Sequence, residues 1–305
     1  MKIGEGGDGM RIVIAGGTGF VGQKLTAQLL EKGHEVLILT RKQKPPQGNV
    51  SYVKWLSQGA EPEKEIGHAD VVINLVGVSI NDGRWTQKHQ QAIYESRMTA
   101  TDELLRIIKA LEKKPSVLIN ASAIGIYPAS EDTVYRETST ERADDFLAKT
   151  VADWEMKAAS AKSLGIRTVM MRFGVVLGKE GGALPFMVLP YRLFAGGTVG
   201  SGRQWVSWVH VTDVVRSILF ATRHENINGP VNVTAPNPVT MKKFGQTIAS
   251  VLRRPHWIPV PPTMLKLALG QKSRLVLEGQ YVLPEKLKNH GFDFTYQHLE
   301  EALRD

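Results

Sequence analysis

The chain of 305 residues contains no cysteine, which excludes disulfide bonds, thiolate metal ligands and a cysteine nucleophile. It contains no run of about 18 apolar residues, so we expect no membrane span and no membrane partner. A basic segment followed by an apolar core, typical of a secretory signal peptide, is also absent, and we therefore expect a cytoplasmic protein. The histidines lack metal-site spacing such as H-E-x-x-H, and no G-x-S-x-G segment is present. We predict no metal site.

An excess of basic residues gives the chain a formal net charge of +8. Such an excess can attract an anionic ligand, including nucleic acid. The Lys and Arg residues are dispersed, however, and no basic run carries interleaved aromatic residues. This pattern favours a solvated basic surface, so we predict no nucleic-acid partner.

Residues 10–22 read MRIVIAGGTGFVG and predict a strand, a glycine turn and the start of a helix. Glycines allow positive φ and a close approach of the backbone to a ligand. The helix start offers free N–H groups and a positive dipole end to a pyrophosphate. A P-loop is excluded because Gln23 stands where its lysine belongs. The alternative is a tight turn without a ligand. We predict a dinucleotide cofactor bound by the turn residues Gly16, Thr18, Gly19, Phe20, Val21 and Gly22.

The end of the predicted strand at residues 34–40 selects the type of cofactor. NAD sites place an Asp or Glu there, which accepts hydrogen bonds from the ribose 2′-hydroxyl. This chain has Thr40, Arg41 and Lys42 instead, and the fork of an arginine suits a 2′-phosphate. We predict NADP(H) with Arg41 on the phosphate; the alternative is that Arg41 is a surface cation. The residues that end a later strand are expected near the adenosine side of the cofactor: Leu75, Val76 and Gly77.

Strand and helix patterns alternate along the first part of the chain. Strands are predicted at residues 34–40, 50–55, 70–78, 117–123 and 167–173, and helices at residues 86–114 and 143–164. The alternation indicates an α/β fold: a Rossmann-type, doubly wound parallel sheet with a smaller C-terminal substrate lobe. We expect a disordered lead at residues 1–9 and an NADP-binding domain at residues 10–174, to which residues 209–235 return. The lobe is expected from residues 175–208 and 236–305.

Several segments together resemble the extended short-chain dehydrogenase/reductase superfamily, in which GGTGFVG is a common nucleotide turn. MRFGVVLG at residues 171–178, WVHVTDVV at 208–215 and GPVNVTAP at 229–236 are similar to its later segments. RWTQKHQQAIYESRMTAT from Arg84, DFLAKTVADWE from Asp145 and the tail from Gly279 resemble an atypical subgroup of epimerase-family, nucleotide-sugar-epimerase-like proteins. The resemblance covers most of the chain.

The chemistry implied by this resemblance needs a Tyr acid/base, a Lys four residues later, and a hydroxyl on the fifth strand. In the matching register Leu147 and Val151 replace the Tyr and the Lys, and Lys149 faces elsewhere on the helix. We predict Tyr127 and Ser122 as the catalytic residues. The alternatives are a packed aromatic ring for Tyr127 and a structural hydroxyl for Ser122. Weaker candidates for proton transfer are Tyr135, Glu131 and Asp132.

The resemblance also places Arg97 where many members carry a helical Asn. A buried arginine is costly unless it is paired. We therefore consider two roles for Arg97: a structural ion pair with an acid such as Asp70 or Glu155, or binding of a substrate carboxylate or phosphate.

Two functions follow from these features. One is an NADP-dependent oxidoreductase or epimerase that acts on a small polar or nucleotide-sugar-like metabolite. The other is a non-catalytic NADP(H)-binding redox sensor or scaffold, which the missing Tyr/Lys pair favours. The resemblance also implies a homodimer formed through the helices at residues 86–114 and 143–164.

Overall fold

The computed structural model describes residues 9–42 and 44–305. The lead predicted at residues 1–9 therefore lies, except for Gly9, outside the described residues. None of the helices in the described part of the chain combines the length and apolar character needed to cross a membrane.

The described residues form fourteen strands, of which five are only two residues long. In chain order they are β1 (Arg11–Ala15), β2 (Glu35–Thr40), β3 (Val50–Lys54), β4 (Val71–Asn74), β5 (Val117–Ala123), β6 (Val134–Tyr135), β7 (Arg167–Phe173), β8 (Val175–Gly178), β9 (Gly181–Gly182), β10 (Trp205–Val206), β11 (Trp208–His210), β12 (Gly229–Val233), β13 (Val239–Thr240) and β14 (Tyr281–Val282).

Eleven α-helices connect and cover these strands within the described ranges. They are α1 (Phe20–Glu31), α2 (Pro62–Ile66), α3 (Gln87–Ala110), α4 (Phe146–Ala159), α5 (Leu184–Arg192), α6 (Val211–Arg223), α7 (Met241–Leu252), α8 (Pro262–Leu269), α9 (Arg274–Leu277), α10 (Glu285–Asn289) and α11 (Leu299–Arg304).

The main sheet has seven strands in the order β12-β7-β5-β4-β1-β2-β3, and every neighbouring pair is parallel. Successive side chains of β1 enter different layers: Ile12 and Ile14 pack with residues of α1 and α6, whereas Val13 packs with residues of α3. A parallel sheet covered by helices on both faces is the doubly wound arrangement. The predicted Rossmann-type α/β fold is confirmed.

A smaller lobe forms around β8, β9 and β11, which make a three-stranded sheet of their own. Its core contains Trp208 and Phe244, packed with residues of α5, α7 and α11. The tail of the chain then returns to the large domain, because β14 pairs with β6.

Three predicted elements have clearly different bounds in the structure. The helix predicted at residues 86–114 is α3, which ends at Ala110. The strand predicted at residues 70–78 ends at Asn74, where the Asn74 side chain accepts a hydrogen bond from the Val76 N–H and the chain leaves the sheet. The helix predicted at residues 143–164 begins after Asp145, whose carboxylate accepts the Ala148 N–H. Its last turn, residues 160–164, is a 3₁₀ helix that ends at Gly165 in the left-handed conformation.

Candidate functional site

The glycine turn between β1 and α1 is too tightly packed for larger residues. The Gly19 N–H donates to the Gly16 carbonyl over 3.0 Å. A Cβ atom on Gly22 would lie 2.3 Å from that carbonyl oxygen, and one on Gly16, at φ +82°, would lie 2.8 Å from the Leu75 backbone. Gly19 caps α1 without a side chain, so the first N–H groups of the helix remain available to a ligand.

The other predicted turn residues contribute through backbone or packing. The Thr18 carbonyl accepts a hydrogen bond from Gln23 at 2.8 Å. The Phe20 ring contacts the lobe, because Cβ atoms on Gly178 and Gly181 would lie 2.5 and 2.7 Å from it. Val21 is half-buried against the core of the large domain. The glycine turn and the lobe therefore meet at Phe20.

The predicted specificity residue Arg41 directly follows β2 and is exposed. It takes part in no ion pair within residues 9–42 and 44–305. The residues that follow β4 lie beside the glycine turn: Leu75 donates its N–H to Ala15 at 2.8 Å, and its backbone contacts Gly16. The glycine turn, the start of α1 and the Arg41 guanidinium thus lie at the carboxyl ends of β1 and β2. This arrangement fits a phosphorylated dinucleotide.

The two predicted catalytic residues belong to one buried polar network. Ser122 Oγ donates to Glu155 Oε1 at 2.5 Å, and Arg172 holds the same carboxylate through Nε at 2.7 Å and Nη2 at 2.8 Å. Arg172 Nη1 donates to the Tyr127 hydroxyl at 2.7 Å, which also lies 3.0 Å from Asn232 Oδ1. Tyr127 is fully buried, and burial raises the pKa of its hydroxyl.

These contacts favour structural roles for Tyr127 and Ser122, whose catalytic roles stay predictions. The sequence did not reveal the Glu155–Arg172 pair that joins them. A usable signal was present, since Arg172 follows four consecutive buried residues of the strand RTVMMRF and a buried arginine requires a partner. The weaker candidate Tyr135 is also buried and stacks on Tyr127, with ring centroids 5.0 Å apart.

The position of the family lysine is closed by apolar packing. Val151 is buried in one cluster with Ile124, Tyr127 and Val282 of β14. Lys149 is exposed, as its helical spacing predicts.

Arg97 has neither of the ion-pair partners predicted for it. Glu155 is held by Arg172 at 2.7 Å, and Asp70 lies 3.3 Å from Lys113. Arg97 instead donates from Nη1 to the backbone carbonyls of Ile93 and Val78 at 2.8 and 3.3 Å. The predicted structural ion pair is therefore wrong for Asp70 and Glu155, and Arg97 forms no ion pair with any other acid within residues 9–42 and 44–305.

A strap after α8 crosses from the lobe to the loop that follows β4. Lys272 Nζ donates to the carbonyl oxygens of Asn81 and Gly83. Next to it, the side chains of Gln271 and Gln90 form a hydrogen bond of 2.6 Å. The crevice at the carboxyl edge of the sheet is therefore bounded by both parts of the molecule.

A protein-family model described as the NAD dependent epimerase/dehydratase family matches residues 12–234. The chain belongs to this family. A second model, described as a domain of unknown function (DUF1731), matches residues 260–305 of this epimerase-family chain.

Relatives of the same family match along nearly the whole length. The epimerase family protein YfhF of Bacillus subtilis (strain 168) is 52% identical over 295 residues, which cover 96% of this chain and 97% of the relative. The epimerase family protein SERP0438 of Staphylococcus epidermidis is 43% identical over 296 residues, covering 97% of this chain and 98% of the relative.

Solved structures place the chain among atypical extended short-chain dehydrogenase/reductases. The human epimerase family protein SDR39U1 (isoform 2), solved with NADPH, is 31% identical, with a TM-score of 0.85 over 97% of this chain and 98% of that one. The resemblance predicted from the sequence is thus confirmed. UDP-glucuronic acid 4-epimerase of Bacillus cereus, solved with UDP-glucuronic acid and NAD, has a TM-score of 0.77 at 16% identity over 96% of both chains. That likeness shows the fold alone.

Proposed function

We propose that this epimerase-family protein binds NADP(H) in the crevice at the carboxyl edge of its sheet. The observation that carries the proposal is the glycine turn, in which the Cβ positions of Gly16 and Gly22 are closed by backbone while the first N–H groups of α1 stay free. NADP(H) rather than NAD(H) is supported by Arg41, which stands exposed at the end of β2 where a carboxylate would select NAD. The NADPH in the solved structure of the human relative supports the same choice.

Each of these residues would hold one part of the cofactor. The backbone of Gly16, Gly19 and Gly22 admits the pyrophosphate to the helix start, and the Arg41 fork binds the 2′-phosphate. A bound nicotinamide supplies hydride transfer. The lobe covers the crevice through Phe20 and the Lys272 strap, and this cover supports a substrate pocket.

The activity we propose is oxidation–reduction or epimerisation of a small polar or nucleotide-sugar-like metabolite. The chain achieves this without the family Tyr/Lys pair, whose places hold Leu147 and Val151. Binding and orientation of the two reactants then supply much of the catalysis.

The second candidate is a redox sensor or scaffold that binds NADP(H) without turnover. Two observations favour it: Val151 at the lysine position has no ionisable group, and the Tyr127 hydroxyl is buried and hydrogen-bonded within the protein.

Titration with both cofactors tests the binding proposal. We expect the wild type to bind NADPH about tenfold more tightly than NADH, or better. A bidentate contact between Arg41 and the 2′-phosphate should stabilise the NADPH complex by more than about 1 kcal/mol. The Arg41→Gln variant should lose this preference. Lys109→Gln, which removes an exposed cation from the far end of α3, should keep it. Equal binding of NADH and NADPH by the wild type would contradict the assignment of Arg41.

A turnover assay separates the two candidate functions. NADPH-loaded protein is mixed with a panel of carbonyl compounds, and NADPH oxidation is followed by absorbance. Protein loaded with NADP+ is mixed with nucleotide sugars, and epimer formation is followed by NMR, because epimerisation leaves no net change in the cofactor. Turnover in either assay supports the enzyme. Tight NADPH binding with no turnover in both assays would favour the sensor.

A further inference from the structure

Arg97 on α3 is a cation without a counter-ion in the described part of the chain. Its guanidinium lies over the Trp154 ring at 5.1 Å from the centroid and is largely enclosed by the protein. Burial lowers the pKa of Arg97 to about 10, so the group still carries its charge at neutral pH. A buried charge of this kind requires an anionic or carbonyl partner.

The hydrogen bonds of Arg97 use only one side of the guanidinium. Nη1 donates to the carbonyl oxygens of Ile93 and Val78, at 2.8 and 3.3 Å. Among the described residues, Nε and Nη2 have no acceptor, and neither atom is sealed from solvent. The edge formed by Nε and Nη2 is the one that binds a carboxylate through two parallel hydrogen bonds.

Two other arginines of the chain show what this open edge is suited for. Arg172 uses the same Nε and Nη2 edge to hold the Glu155 carboxylate at 2.7 and 2.8 Å. Arg167 is satisfied differently, by the backbone carbonyls of Ala221, Thr222 and Ile227. Arg97, like Arg167, donates to backbone carbonyls, but only through Nη1. Within the described residues its Nε and Nη2 edge has no carboxylate of the kind that Arg172 holds.

The open edge lies next to the segment that follows β4. A Cβ atom on Gly77 would be 2.7 Å from Arg97 Nη2, and Gly77 is two residues beyond Leu75, which contacts the glycine turn at Gly16. Arg97 is thus placed beside the carboxyl end of β4, where open α/β sheets bind their ligands. The absence of a side chain at Gly77 leaves room for the guanidinium at this point.

Two segments of the lobe carry basic residues and no acids. Residues 181–208 hold two Lys or Arg residues and residues 236–277 hold seven, whereas the acids of the lobe are Glu180 and six residues in the tail at 278–305. Lys272 brings one of these cations to the loop that follows β4. A cleft bounded by charge of one sign concentrates ligands of the opposite sign.

We propose that Arg97 is a specificity residue that binds an acidic group, a carboxylate or a phosphate, on the substrate of the crevice. The inference rests on the proposed function, because it assigns the cofactor to the glycine turn and Arg41 and leaves Arg97 for the second ligand. The substrate class is therefore a small acidic metabolite, with its anionic group held through Nε and Nη2.

Titration with simple anions tests this assignment. Acetate and inorganic phosphate are titrated into NADPH-loaded protein, with neutral acetamide as the reference, and binding is read by calorimetry and thermal shift. We expect Arg97→Gln to weaken binding of both anions by about tenfold or more, as loss of a charge-assisted pair requires. Arg97→Lys should recover phosphate binding better than acetate binding, because an ammonium lacks the planar fork.

The matched control is Arg167→Gln, which removes a second partly enclosed arginine at the opposite edge of the sheet. It should change thermal stability without changing anion affinity. Unchanged anion affinity in Arg97→Gln, or a loss confined to NADPH affinity, would overturn the proposal. If the wild type does not bind NADPH at all, the cofactor proposal fails, and the anion titration of the cofactor-free protein still reports on Arg97.

Discussion

Burial decides what Tyr127 can do. Its position at the end of β5 suits a catalytic group, but its hydroxyl accepts a hydrogen bond from Arg172 and lies 3.0 Å from both Asn232 Oδ1 and the Arg136 carbonyl. The raised pKa that burial gives this hydroxyl also makes proton loss harder at neutral pH.

Substitution of Tyr127 by Phe separates the structural from the catalytic role. We expect Tyr127→Phe to lower the free energy of unfolding by about 1–3 kcal/mol, because Arg172 Nη1 loses a buried acceptor. The NADPH dissociation constant should stay within about twofold of wild type. Urea titration and cofactor titration measure the two quantities. Tyr135→Phe is the matched control, since its ring stacks on Tyr127 outside the Arg172 contacts. Full stability with loss of turnover in Tyr127→Phe would restore the catalytic role.

Single residues were predictable from the sequence where their roles are local. The glycine turn depends in part on contacts among its own residues, such as Gly22 against Gly16, and its spacing predicts a dinucleotide site. The Glu155–Arg172 pair joins a helix to a strand, so it depends on how α4 packs on β7. The same packing takes Glu155 away from Arg97, which no local pattern of the sequence reveals.

Helix α8 has no buried residue, a feature that it shares with the four-residue helix α9. Met264 and Leu267 are 62% and 85% exposed, although both are apolar. A helix without buried contacts has little to oppose its local unfolding.

Limited proteolysis should therefore cut the native protein first within α8. We expect trypsin to cleave after Lys266 before it cleaves after Lys109. Both lysines are exposed, but Lys109 lies in α3, which is anchored by buried side chains such as Leu104 and Ile108. Mass spectrometry of early fragments identifies the site. Lys266→Gln should delay the first cut in this helix. Early cleavage after Lys109 with Lys266 intact would show that α8 is the more stable helix.

Among the strands, the sequence predicted the long ones and missed those of two residues. The apolar runs of β5 and β7 are sufficient to mark buried strands, and both have the predicted bounds. Strands of two residues, such as β10 and β14, exist only because distant segments pair with them, so no local pattern predicts them.

Three histidines in different parts of the molecule are harder to protonate in the folded state than in the unfolded chain. Burial lowers the pKa of His34, His210 and His256 below the ordinary value of 6.5. On acidification the unfolded chain binds protons on these groups before the folded one does, so the stability they contribute is present above about pH 6.5 and lost as the pH falls through their folded-state pKa values. Burial raises the pKa of Glu137, so this one group lowers the stability of the folded state as the pH rises.

We expect the free energy of unfolding to fall between about pH 7 and about pH 5, measured by urea titration. His210→Asn should give a shallower fall, because asparagine cannot titrate there. It can still accept the Thr212 N–H that His210 Nδ1 accepts at the start of α6. Identical pH profiles for the variant and the wild type would exclude His210 as one of the responsible groups.

The pairing of β14 with β6 also sets an order of events during synthesis. Val282 belongs to the same apolar cluster as Ile124, Tyr127 and Val151, and its N–H donates to Ser207 Oγ at 2.9 Å. These earlier residues leave the ribosome long before β14 is made. The nascent chain therefore exposes this apolar surface until β14 is translated, and partly folded chains with exposed apolar surface are prone to aggregate.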